Sequence, residues 1–182
     1  MDSLQGQFLI ATSRMPDPRF AEQVVYICSH NQDGVMGFVI NRPSGYSLQE
    51  VFKSAQIECG NIYFPPIYIG GPVDTECAFF LYSSEYKITD GFSISEAICM
   101  SRDPRILHDI GSGQGPEDYL FILGYAGWGP GQLEMELTLN GWLALPSNYD
   151  ILFKVSDGLK WKKAAELSGI DISLYTDEIG LA

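Results

Sequence analysis

Short apolar segments recur along the chain, and most of them end in a turn that contains glycine or proline. Such segments, rich in Val, Ile, Phe and Tyr, are typical of β-strands. Several follow one another without a helical segment between them, which favours an α+β fold with a mixed or mostly antiparallel sheet. We predict strands at residues 7–12, 24–28, 35–40, 67–69, 78–82, 119–124, 142–145 and 151–155.

Turn and capping residues separate these strands. Asp33-Gly34 predicts a hairpin between the second and third strands, because glycine readily adopts the left-handed conformation of a tight turn. Ser47 and Glu50 form a capping-box pattern, which predicts a short helix to about Ala55. Similar signals predict helices opened by Asp103-Pro104 and by Asp157, which end at Gly111 and Gly169.

Residues 132–140 carry two incompatible patterns. Their apolar residues alternate with polar ones, which favours a strand. Gly129-Pro130 and Gly141 are instead typical of the start and the end of a helix. A helix here would expose apolar side chains on two opposite sides and would need to be sandwiched, so the two patterns leave the choice between strand and helix open. The alternating apolar residues are Leu133, Met135, Leu137 and Leu139.

The length and charge of the chain restrict its organisation and its partners. Its 182 residues are most simply one domain, residues 1–182. There are 11 basic and 23 acidic residues, which give a net charge of −12. Because affinity for DNA depends on clustered Lys and Arg, direct nucleic-acid binding is disfavoured. The one basic concentration, Lys160, Lys162 and Lys163, is interpreted as a solvated surface.

The sequence predicts a cytoplasmic protein. It contains no signal-peptide core and no apolar run long enough to span a bilayer, so we expect no membrane contact. The four cysteines are widely spaced and form no C-x-x-C pair. In a reducing compartment such residues are usually small buried side chains.

Residues 124–137 have the composition of a phosphate-binding turn without its pattern. Gly127 and Gly129 supply two glycines of G-x-G-x-x-G, but Gln132 stands at the third position. Pro130 lacks an N–H donor, and the two glutamates that follow would repel an anion. The two histidines have no metal-ligand spacing, and no nucleophile motif occurs. We therefore predict no cofactor and no metal, and we assign no catalytic residue.

The turns at the strand ends carry the best candidates for ligand binding. Pro43 forces Arg42 into an extended conformation, so that its guanidinium projects from the end of the strand. These residues form structural turns, or they converge on one site that binds a small anion or a peptide carboxylate. The candidate residues are Asn41, Arg42, Gly70, Gly71, Tyr125, Gly127, Trp128, Gln132 and Glu134.

We favour a non-enzymatic cytosolic binding or regulatory domain, and two other functions stay open, a small hydrolase and a transcriptional regulator that acts indirectly. Glu134 or Glu136 would serve as the base of a small hydrolase if its carboxylate lay in a closed cleft. Two carboxylates at this spacing are, however, far more common on solvated surfaces. Met135 and Leu139 would mark a surface for a protein partner if they were exposed.

An ordered set of motifs resembles the bacterial YqgE/AlgH family over essentially the whole chain. No single motif is specific, but their combination and order are. They are Leu4-x-Gly6-x-Phe8-Leu9-Ile10-Ala11, Asp17-Pro18-x-Phe20, Val25-Tyr26-Ile27-Cys28, residues 36–43, Gly70-Gly71-Pro72-Val73, residues 124–128, residues 131–136 and Gly180-x-Ala182.

This resemblance implies a compact domain with a partly open, barrel-like sheet, helices packed outside it, and a helix that begins near Pro130. It implies no reaction, because the family is largely uncharacterised. One branch is named as a transcriptional regulator of alginate synthesis, and this acidic chain would have such an effect only indirectly, through a protein. The sequence departs from the family at Ser29, where relatives usually carry Glu, and in the strand at residues 77–82.

Overall fold

A computed structural model describes residues 2–60 and 64–170, and the terminal Gly180 and Ala182 of the family pattern lie outside the described residues. The described chain forms one sheet of nine strands. The strands are β1 (Gln7–Ala11), β2 (Val24–Asn31), β3 (Gly34–Val39), β4 (Ile67–Ile69), β5 (Val73–Ser83), β6 (Phe92–Ser93), β7 (Ile98–Ser101), β8 (Tyr119–Trp128) and β9 (Trp142–Pro146).

The sheet is mostly antiparallel. Its order is β6-β7-β5-β8-β3-β2-β1-β9, and β4 pairs in parallel with β8 outside this path. The sheet curls into a half-barrel. The α+β class and the mixed, partly open sheet expected from the sequence are therefore confirmed.

Helices cover both faces of the sheet. They are α1 (Leu48–Ser54), α2 (Arg105–Gly111), α3 (Gln132–Thr138), α4 (Tyr149–Phe153) and α5 (Asp157–Leu167). On one face, which we call the α5 face, Phe8, Tyr26 and Ile122 pack against α4 and α5. On the opposite face, which we call the α3 face, Leu9 and Val25 pack against α3. In the other half of the same face, Phe121 packs against α1 and α2.

The side-chain alternation of β8 changes at Gly124. Leu120 and Ile122 pack in the cluster on the α5 face, and so does Tyr125. An uninterrupted alternation of side chains would have placed Tyr125 on the opposite face. Gly124 has a φ of +68°, and this left-handed conformation shifts the alternation by one residue. Successive side chains of a strand point to opposite faces, so Trp128 lies on the α3 face while Tyr125 lies on the α5 face.

Local signals predicted several of these elements correctly. The hairpin joins β2 and β3 at Asn31 and Gly34. The capping box of α1 is complete, with reciprocal bonds between Ser47 and Glu50. Asp103 accepts the N–H of Arg105 at the start of α2.

Residues 151–153 lie in helix α4, which ends before Lys154, so our prediction of a strand at residues 151–155 is wrong. Asn148 accepts the N–H of Ile151 at 3.0 Å and thereby caps α4. Ile151 and Leu152 are then buried side by side on the α5 face. A short apolar run does not distinguish a strand from a buried helix, and the cap decides between them.

Residues 132–138 form the helix that the family resemblance implied, and Leu139 is its C-cap residue. Gly131 adopts a φ of +74° and turns the chain out of β8 into α3. Leu133 is fully buried, whereas Met135 and Leu139 are 65% and 66% exposed. The helix therefore leaves two apolar side chains in solvent, as the alternating pattern requires.

Three further differences concern the extent of β8, two short strands and the start of α5. The predicted strand at residues 119–124 continues to Trp128, because the backbone of β8 pairs with β3 as far as Val35. The short strands β6 and β7 were not predicted. Ser156, and not Asp157, is the N-cap residue of α5.

The close approach of Gly71 to β8 generates a stability prediction. A Cβ atom at residue 71 would lie 2.2 Å from the backbone carbonyl of Tyr125, which cannot move without disturbing the centre of the sheet. We expect Gly71→Ala to lower the free energy of unfolding by about 2 kcal/mol or more, since overpacking against backbone forces the strands apart. Urea denaturation measures this loss.

Gly158→Ala is the matched control. No heavy atom beyond the immediate chain neighbours lies within 4 Å of the added methyl group, and the residue lies in α5. Its free energy of unfolding should be unchanged or slightly raised, because alanine favours a helix more than glycine does. Equal destabilisation by the two substitutions would contradict the close approach at Gly71.

Candidate functional site

A first cavity of about 230 Å³ lies where β3 ends on the α3 face of the sheet. Arg42 and Gly71 line it, together with Arg19, Phe20 and Pro72. The Arg42 side chain is exposed, and it makes no hydrogen bond or ion pair with any described residue. This guanidinium is available to an external acceptor.

The turn that carries Arg42 is held by its neighbour Asn41. The Asn41 side-chain oxygen accepts the N–H of Val24 at 3.0 Å, and its amide nitrogen donates to the carbonyl of Glu22 at 2.9 Å. Both bonds tie the end of β3 to the start of β2. Asn41 therefore positions the arginine and does not itself face the cavity.

Lys160 supports the same turn from the other face of the sheet. Its side chain is buried, and Nζ donates to the carbonyl of Ile40 at 2.7 Å and lies 3.1 Å from Asp157 Oδ1. Burial lowers the pKa of the Lys160 ammonium, and the Asp157 carboxylate opposes that shift. Our interpretation of Lys160 as a solvated surface residue is wrong, because its ammonium replaces water with a backbone carbonyl, a carboxylate and the face of a tyrosine ring.

A second cavity of about 210 Å³ adjoins the first one. Its floor contains Trp128 and Trp142, whose rings meet edge to face with centroids 6.0 Å apart. Both indole N–H groups donate to Glu136 Oε2, at 3.0 and 2.8 Å, and Gln132 Nε2 donates to Oε1 at 3.0 Å. The Glu136 carboxylate thus accepts three hydrogen bonds and locks two tryptophans into one arrangement.

The two cavities are parts of one groove. Arg19, Phe20 and Pro72 line both of them, and we call the combined surface the arginine groove. Arg19 is engaged with Asp17, from Nε to Oδ1 at 3.0 Å and from Nη2 to Oδ2 at 2.6 Å. This pairing holds the pKa of Asp17 below its ordinary value. The charge of Arg19 is therefore largely matched, whereas that of Arg42 is not.

Five of the nine predicted site residues line the arginine groove. Gly70 is nearby but serves the sheet, since its N–H donates to Leu123 and its carbonyl accepts from Val39, both at 2.8 Å. Asn41 has the supporting role described above. Tyr125 and Glu134 lie elsewhere. The five residues in the groove are Arg42, Gly71, Gly127, Trp128 and Gln132.

Tyr125 does not reach the groove because it lies on the α5 face. The prediction treated residues 125–128 as a loop, whose side chains could converge. They continue strand β8 instead, and a strand sends Tyr125 and Trp128 to opposite faces. Tyr125 lines a different cavity, together with Met36 and Phe79.

Glu134 pairs with a histidine that the sequence had not singled out. His30 Nε2 lies 3.1 Å from Glu134 Oε1, and His30 Nδ1 accepts the N–H of Leu4 at 3.0 Å. The second bond assigns the proton of a neutral ring to Nε2, which then donates to Glu134. Both ring nitrogens are occupied, and the pair ties the N-terminal segment to α3.

Comparisons with known proteins identify the family. The AlgH-like family model matches residues 8–173. The chain belongs to the AlgH-like family. A UPF0301 protein of Desulfotalea psychrophila is 42% identical over 182 residues, which cover 100% of this chain and 96% of the relative. A UPF0301 protein of Methylococcus capsulatus is 40% identical, with 97% and 95% covered.

Two solved structures share the AlgH-like fold. The solution structure of the AlgH protein from Pseudomonas aeruginosa is 40% identical and superposes with a TM-score of 0.78, covering 100% of this chain and 99% of that one. The crystal structure of a protein from Corynebacterium diphtheriae has a TM-score of 0.76 at 19% identity, covering 96% and 92%. The second likeness concerns the fold alone.

Sequence reasoning missed several groove residues of this AlgH-like chain, among them Arg19, Phe20, Glu136 and Trp142. Arg19 and Phe20 lie within or beside the Asp17-Pro18-x-Phe20 motif, which contributed to the resemblance without being given a role. Glu136 was considered only as a base, and Trp142 only as the start of a strand. The available signal was the pair of tryptophans with two intervening glutamates, because a buried indole N–H requires an acceptor.

Two properties of the described part of the chain bear on the type of site. No helix in residues 2–60 and 64–170 combines the length and the apolar composition required to cross a bilayer. Within the same residues, no three His, Cys, Asp or Glu side chains are grouped closely enough to hold a metal ion.

The shared acceptor of the two indoles generates a second prediction. Glu136→Ala leaves two partly buried N–H donors without their acceptor, and we expect a loss of about 2 kcal/mol in the free energy of unfolding. The tryptophan fluorescence of the folded protein should change as well, because the floor of the groove loosens. Glu136→Gln, which keeps one acceptor oxygen, should lose less.

Met135→Ala is the control on the same helix. Its side chain is mostly exposed, so its removal should alter the free energy of unfolding by less than about 0.5 kcal/mol. A Glu136→Ala variant as stable as Met135→Ala would show that the indole bonds do not hold the groove together.

Proposed function

We propose that this chain is a non-enzymatic cytoplasmic binding domain whose arginine groove takes an anionic group on an apolar body, such as the carboxylate end of a small molecule or peptide. The observation that carries the proposal is the unpaired guanidinium of Arg42 at the mouth of a groove with aromatic walls. Arginine binds carboxylates through two parallel hydrogen bonds, which supply direction as well as affinity.

The two halves of the groove fit the two parts of such a ligand. Arg42 would hold the anion, and the flanking Gly71 allows the ligand to approach the backbone. The aromatic half, with Phe20 and Trp128, would take the apolar body, because the carboxylates that line it are already engaged. Glu136 accepts from three donors, and Asp17 pairs with Arg19. Burial of aromatic and apolar surface is the main source of affinity in such sites.

The contacts of the two glutamates favour binding over hydrolysis. The oxygens of Glu136 are committed to two indoles and an amide, and Glu134 is committed to His30. His30 has no free ring nitrogen with which to accept a proton. An acid–base role for either carboxylate would require breaking contacts that hold α3 in place.

Charge and thiol chemistry are consistent with a cytoplasmic role through a protein partner. The net charge is −12, and Lys162 and Lys163 both lie near Glu166. An effect on transcription would therefore require another protein to contact DNA. All four cysteines are free thiols, which fits a reducing compartment.

Binding of N-acetyl-tryptophan, which has one carboxylate and one aromatic body, tests the proposal. We expect saturable chemical-shift changes at the amides of residues 70–72 and 126–128, and at least tenfold weaker binding to Arg42→Ala. The amide of the same compound, which lacks the anion, should also bind at least tenfold more weakly. Lys162→Ala, an exposed charge outside the groove, should bind like the wild type.

Several results would reject this function. Equal affinity for the acid and the amide would show that the anion is not recognised. An unchanged affinity of Arg42→Ala would show that Arg42 does not bind the ligand. If the wild type bound neither the aromatic acid nor acidic peptides, the groove would not be a ligand site.

A further inference from the structure

A separate cavity of about 660 Å³ opens on the α5 face of the sheet, opposite the arginine groove. Its apolar floor consists of Met36, Phe79, Met100 and Tyr125, and we call it the methionine pocket. The volume lies inside the range of roughly 300–1,000 Å³ that is typical of small-molecule sites. The pocket was not foreseen from the sequence, because its residues come from β3, β5, β7 and β8.

The floor suits an apolar side chain of variable shape. Phe79 and Tyr125 meet edge to face with centroids 6.0 Å apart, and they form its aromatic wall. The two methionines are only partly buried and belong to the edge of the core. Methionine is flexible and polarisable, so such a wall adapts to branched or aromatic groups alike.

One cation on the rim lacks a carboxylate partner. The Arg102 guanidinium lies 5.2 Å from the centroid of the Phe79 ring, and its Nη2 donates to the Cys77 thiol at 3.3 Å. It forms no ion pair with any described carboxylate. The ring and the thiol hold the guanidinium at the rim, and most of its N–H donors stay available to a ligand.

One anion on the rim is likewise unmatched. Asp90 and Asp103 also line the pocket, but both lie against Arg105. Asp74 has no ion-pair partner among the described residues, and its φ of +47° places it outside the regular strand. It belongs to the bulge of β5, where the register with β8 shifts between Val73 and Ala78. Bulges of this kind commonly redirect side chains at functional sites.

The methionine pocket therefore holds one unpaired cation and one unpaired anion above an apolar floor, and these two groups do not pair with each other. We propose that it binds a zwitterion with an apolar side chain, that is, a free hydrophobic amino acid or a very short apolar peptide. Arg102 binds the carboxylate, Asp74 binds the ammonium group, and Met36, Phe79, Met100 and Tyr125 enclose the side chains. A ligand with only one of the two charges leaves the other rim group unmatched.

The test uses the dipeptide Leu-Phe in three forms, namely free, N-acetylated and C-terminally amidated, with calorimetric titration of the whole chain. The free dipeptide should bind and should shift the amide resonances of residues 74–79 and 98–102. Each blocked form should bind at least tenfold more weakly, since it lacks one of the two charges. Arg102→Gln and Asp74→Asn, both at exposed positions, should each weaken binding of the free dipeptide at least tenfold.

The titrations are made in the Arg42→Ala background, because the arginine groove is itself proposed to bind a peptide carboxylate. Binding in this background reports on the methionine pocket, and Lys162→Ala, an exposed charge outside both cavities, should leave the affinity for the free dipeptide unchanged. This proposal and the proposed function of the arginine groove therefore stand or fall separately. Equal binding of the acetylated or of the amidated form would overturn the zwitterion assignment. Absence of binding by the free dipeptide, or unchanged binding by Arg102→Gln, would overturn the site.

Discussion

The architecture depends on the contact between the backbone of Gly70-Gly71 and that of β8. A Cβ atom added at Gly70 or Gly71 would lie 2.2–2.4 Å from the carbonyl oxygen of Gly124 or Tyr125. No side chain therefore separates these two backbone segments. In the same region Gly124 takes a left-handed conformation, and the alternation of β8 shifts. Two consequences follow. Strand β4 pairs with β8, and the side chains of Tyr125 and Trp128 lie on opposite faces of the sheet. The position of each cavity follows from this local backbone geometry.

The charges of this acidic chain are arranged around those two faces. Two basic groups near the cavities are already matched, Arg19 by Asp17 and Arg105 by Asp103. Arg42 and Arg102 are not, and each lies at the rim of a cavity with apolar walls. The net charge of the chain is −12, yet no carboxylate of the described residues occupies these two guanidinium groups. An external carboxylate would therefore replace water there, and not a side chain of the protein. The buried Lys160 has the opposite role, since its charge is used inside the fold to hold the turn before Arg42.

Sequence reasoning was most successful where a short-range contact determines the structure. The capping box of α1 involves residues three positions apart, and the turn of the first hairpin closes within four residues. It failed at residues 125–128, where pairing with the distant strand β3 extends β8. It also failed at residues 151–155, where the Asn148 cap is equally local but was not recognised beside the apolar run. The α3 helix illustrates the intermediate case. Its sequence period matches a strand, and tertiary burial of Leu133 together with the Gly131 turn makes it helical.

The sequence by itself determined the family, the α+β class, the capped helices and the glycine-rich turns, because these depend on composition, on motif order and on interactions between near neighbours. Only the tertiary structure decided which turns meet. It brought Arg42, Gly71, Gly127, Trp128 and Gln132 to one groove, assigned Glu134 to His30, and turned Tyr125 towards a pocket on the other face. The physical reason is that side-chain direction in a sheet alternates from residue to residue, so one glycine in a left-handed conformation changes which distant residues share a cavity.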